Sequence, residues 1–510
     1  MDYTKVCNLI AEKIKKAPFE YQAYEDYYGI MKAMLAEDKG IAVAGLKWLS
    51  ETISERMPAI IGMDLELGRQ MMGLHRKVLL AAAPWDFDSY MLFVEWNREP
   101  SKKFWPPRRR TLKPIAEDMQ ALADDELDLL AISLPPGAGK STLAIFYLTW
   151  LAGKYPDSPI LTGSHSNSWI KGAYDECLRI MDARGEYLWH EVFPYVNVSN
   201  TNAKDCRIDL GKRKRFETLE FTSIGTGNAG LYRAATLLYC DDLISSLEVA
   251  LSPDRLAKLW GIYNTDLRQR KIGDKCKELH IATRWATGDV ISLLEQAYDG
   301  DPRAKFISIP ALDENDESNF DYAYGVGFST KFYHEQRDIM DDVNWRALYM
   351  QQPIDREGRL YDPDELRRYF ELPDGEPDAI ISVCDTKDRG SDDCVMPVAY
   401  VYGDNYYIEE ILCDSSKPEV VDELLIQTLL KHKVQMSCFE SNAAGGRVAQ
   451  TVQAGVKARG GITKIETRYT TASKETKILA NSPWVKQKCL FKDDTVSDKN
   501  YKKALNKLCG

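Results

Sequence analysis

No apolar stretch in this sequence approaches the roughly 18–20 residues that a helix needs to cross a bilayer. The opening residues, Met-Asp-Tyr-Thr-Lys-Val-Cys, have none of the basic, apolar and small-residue segments of a secretory leader. Both absences lead to the expectation of a soluble cytoplasmic protein. The 11 cysteines are scattered singly, with no Cys-x-x-Cys pair, and the 6 histidines are dispersed. This excludes a zinc site built on paired thiols and a disulfide framework, and it fits reduced thiols. There are no internal repeats and no low-complexity tracts. What remains is ordinary globular composition: 44% hydrophobic and 28% charged residues. At 510 residues the chain is too long for a single core, so two or three domains are expected.

Residues 127–142 carry the most information. An apolar run over 128–134 reads as a buried strand and breaks at Pro135-Pro136. A helical pattern then starts at Lys140. A strand, a loop of small residues and a helix opening on Lys-Ser-Thr form the setting of a phosphate-binding loop. Backbone N–H groups of Gly137, Ala138, Gly139, Lys140, Ser141 and Thr142 can converge on phosphate oxygens at a helix N-terminus. Lys140 would reach the β- and γ-phosphates of ATP, and the Ser141 hydroxyl would ligate Mg²⁺. The usual loop has Gly where this sequence has Leu134.

About 100 residues later, Thr236-Leu-Leu-Tyr-Cys-Asp241-Asp242 reads as a strand ending in two acids. Asp241 can hold Mg²⁺, and Asp242, shorter than the customary Glu, can orient the attacking water. Leu279-His-Ile-Ala-Thr283-Arg284-Trp285 ends a further strand, and Thr283 is expected to couple hydrolysis to the rest of the domain. Phosphoryl transfer gains from an arginine near the γ-phosphate, for which Arg284 and Arg233 are the candidates.

Residues 1–97 read as helical, with apolar positions at helical spacing (Val6, Leu9, Ile10, then Ile41, Val43, Ala44, Leu46, Leu49), and offer no chemistry. From 98 to 353 strands alternate with helices, with strands expected at 128–134, 160–162, 219–221, 235–240 and 278–283. Residues 354–378 are polar and turn-rich and are expected to connect two domains. From 379 to 510 a second α/β domain begins with strands at 379–384, 395–402 and 406–412. A helix at 419–432 and a strand at 436–439 follow.

Net charge is −11, yet residues 457–507 hold 13 Lys and Arg against 5 acids. Two smaller basic clusters are Lys102-Lys103 with Arg108-Arg109-Arg110-Lys113, and Lys212–Arg215, the latter read as a hairpin tip. Basic patches on an acidic body suit a protein that grips a polyanion locally.

Taken together these motifs resemble the large terminase subunit of tailed bacteriophages and prophages. The likeness runs over nearly the whole chain after about residue 85. It is carried by Pro-Pro-x-x-Gly-Lys-Ser-Thr (135–142), the Gly-rich approach 225–230 to Asp241-Asp242, and Thr283-Arg-Trp285. Further on it includes Gln352-Pro-Ile354 with Glu357-Gly358, Asp385-Thr-Lys387, and Glu440-Ser-Asn-x-x-Gly-Gly446. Gly137 departs from it, since related sequences carry Arg there.

The resemblance implies an α/β protein in which a P-loop ATPase that moves double-stranded DNA into a procapsid precedes a ribonuclease-H-like nuclease that cuts it. It implies a portal protein and a small terminase subunit as partners, a homo-oligomer during packaging, and a location in the bacterial host cytoplasm without membrane attachment. The second domain read from its own residues agrees with this. Asp385 and Glu440 end strands that lie together in a ribonuclease-H-like sheet and can share Mg²⁺ or Mn²⁺. Asp393 can add a carboxylate and Lys474 a phosphate contact. The family's third carboxylate, from a late His-Asp-Asp run, has no counterpart before Gly510, so a shortened chain or an incomplete nuclease centre is expected. Asp493-Asp494 read as a surface turn. Two other readings stay open: a DNA-dependent ATPase or helicase, and a truncated prophage remnant that binds DNA without cutting it.

Overall fold

The computed structural model describes residues 3–182, 185–212, 214–225, 232–250, 252–353, 366–386, 393–440, 445–469 and 474–509. Two compact units divide the chain, Met1–Ile354 and Asp355–Gly510.

The first unit opens with four helices, Tyr3–Lys16, Tyr21–Met34, Lys39–Met63 and Leu65–Ala82. Asp38 and Asp64 set two of the starts: Asp38 accepts from Ile41 N, and Asp64 from Glu66 N and Leu67 N. Their core uses Ile14, Tyr24, Leu46, Leu49, Ile53 and Leu74. Leu9 and Ile41, expected on the apolar stripe, are exposed at 65% and 46%. This helical region and the sheet that follows belong to one compact unit.

That sheet has eight strands: β1 (Leu129–Ser133), β2 (Ile160–Ser164), β3 (Val198–Asn202), β4 (Arg207–Leu210), β5 (Leu219–Ser223), β6 (Leu237–Asp241), β7 (Lys277–Ala282) and β8 (Ala304–Ser308). Their spatial order is β3-β4-β5-β2-β6-β7-β1-β8. β5, β2, β6, β7, β1 and β8 run parallel, while β3/β4 and β4/β5 are antiparallel. β1, β2, β5, β6 and β7 are buried on both faces, as parallel strands are, while the edge strand β8 is partly exposed. The expected strands all form, with ends displaced by a residue or two. β7 lies between β1 and β6, so the segment after β7 falls between the phosphate loop and the acidic pair. This is the strand arrangement of a P-loop NTPase in which the loop strand and the acidic strand are not neighbours.

The second unit is built on β9 (Arg368–Tyr369), β10 (Ala379–Cys384), β11 (Cys394–Tyr402), β12 (Asn405–Asp414), β13 (Met436–Glu440), β14 (Lys464–Arg468) and β15 (Cys489–Lys492). The order is β14-β13-β10-β11-β12-β15-β9. β11 is antiparallel to β10 and β12, and β13 and β14 continue parallel to β10. A meander of three strands with two parallel strands added beside the first is the ribonuclease-H-like sheet. The helices Pro418–Lys431 and Gly445–Ala458 cover one face, over Cys384, Met396, Val398 and Phe439. β9 lies inside the segment expected to be a connector and adds an edge strand instead, pairing with β15.

Candidate functional sites

The phosphate loop joins β1 to the helix Lys140–Lys154. Leu134, at the position usually held by Gly, is fully buried and extends the strand, its N–H donating to the Ala282 carbonyl (3.3 Å). The backbone reversal is made later, at Gly137 (φ 77°) and Gly139 (φ 101°), in the left-handed region that glycine tolerates. A Cβ at Gly137 would come within 2.5 Å of the Phe328 ring, so the Arg of related sequences has no room here without moving that ring. The segment around Phe328 also braces the loop through the Tyr322 hydroxyl, which donates to the Ala138 carbonyl (3.1 Å).

The order of β1, β7 and β6 brings the expected residues together. Lys140 is buried, and its Nζ donates to the Thr283 hydroxyl (2.8 Å), which in turn donates to the Leu134 carbonyl (3.5 Å). Ser141 Oγ donates to Asp241 Oδ1 (3.3 Å). The Tyr239 hydroxyl, two residues back on the same face of β6, donates to the other Asp241 oxygen. Asp241 is 2% exposed, and burial first, then the neighbouring Asp242, pushes its pKa up to about 7. Burial likewise raises Asp242 and lowers Lys140. A buried cation beside one buried and one half-buried acid, with a hydroxyl against the buried one, fits the donor set for a magnesium–nucleotide complex.

Asp242 has its backbone in the left-handed region (φ 41°), rare for a residue with a side chain. The turn is pinned on both sides: Asp242 N donates to the Ile281 carbonyl (2.9 Å), and His165 Nδ1 lies 2.5 Å from the Asp242 carbonyl. Its Oδ1 is buried with no hydrogen-bond partner among the described residues, as is the Trp285 indole nitrogen. Both residues line a cavity of about 20 Å³.

The two arginine candidates sit elsewhere. Arg284 is 5% exposed and held by Asp289 (3.1 Å), Glu295 (3.5 Å) and Ser292. Arg233 precedes β6, at the end of the sheet opposite the phosphate loop, where its N–H donates to Glu220 (3.0 Å). Arg284 nevertheless follows Thr283 at the tip of β7, whereas Arg233 lies at the other strand end. Sequence reasoning missed Tyr239, His165 and the loop-facing Arg108. Strand periodicity could have found Tyr239, which shares the face of Asp241. His165 follows β2, and only the strand order places it beside Asp242.

In the second unit the β10/β13 register ends at Cys384 opposite Phe439, so Asp385 and Glu440 are the next pair. Adjacent strands lie about 4.8 Å apart. Cys384 and Phe439 are buried under the helices, and alternation turns Asp385 and Glu440 to the opposite face, where Val383 and Met436 are exposed. Asp385 also exchanges both backbone hydrogen bonds with Val395 (3.0 and 3.1 Å), which fixes its strand end. Asp393 lies two residues before Val395. Among the described residues, no three His, Cys, Asp or Glu side chains gather where a metal ion could be held. Two carboxylates do not by themselves fit a two-metal centre. The side chain of Lys474, with residues 226–230, 354, 357–358, 387 and 441–444 of the motifs, lies outside what the structure describes.

Some residues of the basic clusters have acidic partners. Lys102 pairs with Glu99, Arg109 with Asp88, and Lys113 with Glu51. Lys214 turns inward onto Asp209. In the late basic segment Arg459, Lys464, Lys488 and Lys492 have acidic partners, whereas Lys499 and Lys503 are exposed on the last helix.

No family model and no curated protein matches the chain. Among solved structures it is similar to the large terminase of a thermophilic bacteriophage, at 12% identity and a TM-score of 0.43, over 80% of this chain and 91% of that one. A complex of that terminase with ATP-gamma-S gives 12% and 0.44, over 80% and 90%. The large terminase of bacteriophage HK97 gives 11% and 0.33, over 74% and 85%. The solved structures named here are all large terminases, the family whose motifs this sequence resembles.

Proposed function

We propose that the protein is an ATP-driven DNA-packaging motor subunit, a large terminase, whose first unit hydrolyses ATP to move double-stranded DNA and whose second unit cuts it. The observation that carries the ATPase reading is the convergence of Lys140, Ser141, Asp241, Asp242 and Thr283 from three separate strand ends. Bound magnesium would screen the β- and γ-phosphate charges, held by Ser141 and Asp241. The loop N–H groups from Gly137 to Thr142 cradle the phosphates, and Lys140 neutralises the γ-phosphate. Asp242, its backbone fixed and its carboxylate facing Lys140 and the Trp285 indole, orients the attacking water.

Thr283 supplies the coupling. Its hydroxyl holds Lys140 at 2.8 Å in this structure. A γ-phosphate competes for the same ammonium, so binding and hydrolysis exchange the partner of Lys140 and shift the end of β7. The strand carries that shift into the sheet.

Asp385 and Glu440 are the residues proposed for DNA cleavage, with double-stranded DNA as substrate. Portal and small-subunit partners and a homo-oligomeric working state belong to the same proposal.

The ATPase part is tested by turnover measurements on the full chain. Lys140→Ala and Asp241→Asn, both folded, are expected to lose at least about 10²-fold in ATP hydrolysis, because each removes a charge that acts on the transferring phosphate. Wild-type turnover in either would overturn the site.

A further inference from the structure

One cation beside the phosphate loop has no assigned role. Arg108 sits in the helix Trp105–Ala123, next to Arg109 and close to Lys113. Its neighbours are neutralised by Asp88 and Glu51. Arg108 instead turns to the loop: a Cβ built on Gly139 would lie 3.2 Å from its Nε and 3.3 Å from its Cδ. It makes no ion pair among the described residues. The buried Glu95 carboxylate in this region is taken by Arg98 (2.6 Å) and by the N–H groups of Phe104 and Trp105 (2.9 Å each).

Neutral groups hold the guanidinium in place. One terminal nitrogen donates to the Phe104 carbonyl and the other to the Val326 carbonyl, each at 3.0 Å. The group lies over the Phe104 ring (4.8 Å) and the Tyr322 ring (5.2 Å). Its Nε is buried and, among the described residues, unpartnered. Carbonyls and aromatic faces orient a cation without cancelling its charge. Burial accordingly pulls the Arg108 pKa below the usual arginine value. A partly buried, oriented cation whose favourable carboxylate, Glu95, is shared with Arg98 and two backbone N–H groups is costly unless an anion arrives to complete it. The adjoining loop is built to receive one.

We propose that Arg108 is a positioning residue of the nucleotide site, whose charge is completed by the polyphosphate of a bound nucleoside triphosphate. It supplies from the preceding helix the positive charge that the loop lacks at Gly137. It also ties nucleotide occupancy to the segment 322–328, because the same guanidinium holds the Val326 carbonyl while Tyr322 holds the loop. The inference rests on the nucleotide-binding reading of the first unit.

The test is equilibrium binding of ATP-gamma-S, ADP and AMP to the full chain with Mg²⁺, in wild type, Arg108→Gln, Arg108→Lys and Lys140→Ala. A charge acting on phosphates gives a graded loss. In Arg108→Gln the triphosphate should weaken on the order of tenfold, the diphosphate less and the monophosphate least. Arg108→Lys keeps the charge but cannot hold both carbonyls, and it should stay within about threefold of wild type for the triphosphate. Wild-type affinity in Arg108→Gln, or equal loss of all three nucleotides, would overturn the proposal, the second outcome marking a packing role. If Arg108→Gln does not fold, Arg108→Met, which keeps the chain length without the charge, is read by the same graded series, and wild-type affinity or equal loss of all three nucleotides in it overturns the proposal. If wild type binds none of the nucleotides, the nucleotide reading fails and this inference with it. If Lys140→Ala loses binding while Arg108→Gln does not, only this inference fails.

Discussion

Asp242 combines a left-handed backbone, a buried carboxylate oxygen without a partner among the described residues and a place at the tip of β6. A residue held in that conformation costs of order 1–3 kcal/mol and persists where the surroundings impose it. Asp242→Asn keeps the shape and removes the charge. It should bind ATP normally and hydrolyse it about 10²-fold more slowly or worse. Unchanged turnover would remove Asp242 from the reaction. Gly137→Ala meets both a positive φ and the Phe328 ring, so a loss of about 1–3 kcal/mol of stability is expected, read by denaturant unfolding. His75 is a separate case. Its Nε2 lies 2.8 Å from Ser50 Oγ, and burial, helped by Arg109, holds its pKa down to about 4. A folded-state value below the unfolded 6.5 means that the unfolded chain binds the proton first. This contribution is complete above about pH 6.5 and is lost as pH falls from about 6.5 towards about 4. His75→Gln should flatten the stability–pH curve in that window, as measured by thermal melts. At this scale the sequence spoke clearly for Lys140, Ser141, Asp241 and Asp242, because each is tied to a strand or helix end by local pattern. It read Arg108 only as part of a surface basic cluster and was silent on His165, because the place of each depends on contacts between residues far apart in the chain.

Among the elements, β1, β2, β5, β6 and β7 were legible because they are buried and rich in apolar residues, whereas β3, β4 and the exposed edge strand β8, and β14 and β15 in the second unit, were not expected. β7 needed its place in the sheet to be meaningful, since only by lying between β1 and β6 does Thr283 meet Lys140. β9 was hidden: two residues in a polar segment carry no periodicity, and only their pairing with β15 reveals the strand. This has a measurable consequence. The Tyr369 hydroxyl donates to the Ile408 carbonyl (3.1 Å) and to Glu409 (2.9 Å), and Leu366 joins the core with Phe491 and Tyr501. A fragment 366–510 should therefore fold with a sharper and higher-temperature melt than a fragment 379–510, which exposes the β15 edge. Equal melting of the two would show that β9 contributes nothing.

The whole molecule has a net charge of −11, and several residues of its basic clusters have acidic partners, among them Arg459, Lys488 and Lys492. Of the clusters that read as polyanion grips, only part remains free to meet DNA. For the second unit, the β10/β13 register places Asp385 and Glu440 at neighbouring strand ends. Plasmid nicking at millimolar Mg²⁺ is expected to be weak and to rise with Mn²⁺, with Asp385→Ala abolishing it. Robust cutting that survives Asp385→Ala would remove this pair from the reaction. The central claim is that ATP hydrolysis at Lys140 and Asp241 moves duplex DNA. The most direct measurement is displacement of a triplex-forming strand from linear double-stranded DNA by the full chain. The expected result is displacement that requires ATP, leaves the duplex strands paired and disappears in Lys140→Ala. ATP hydrolysis without displacement, separation of the duplex strands, or displacement by Lys140→Ala would contradict the account.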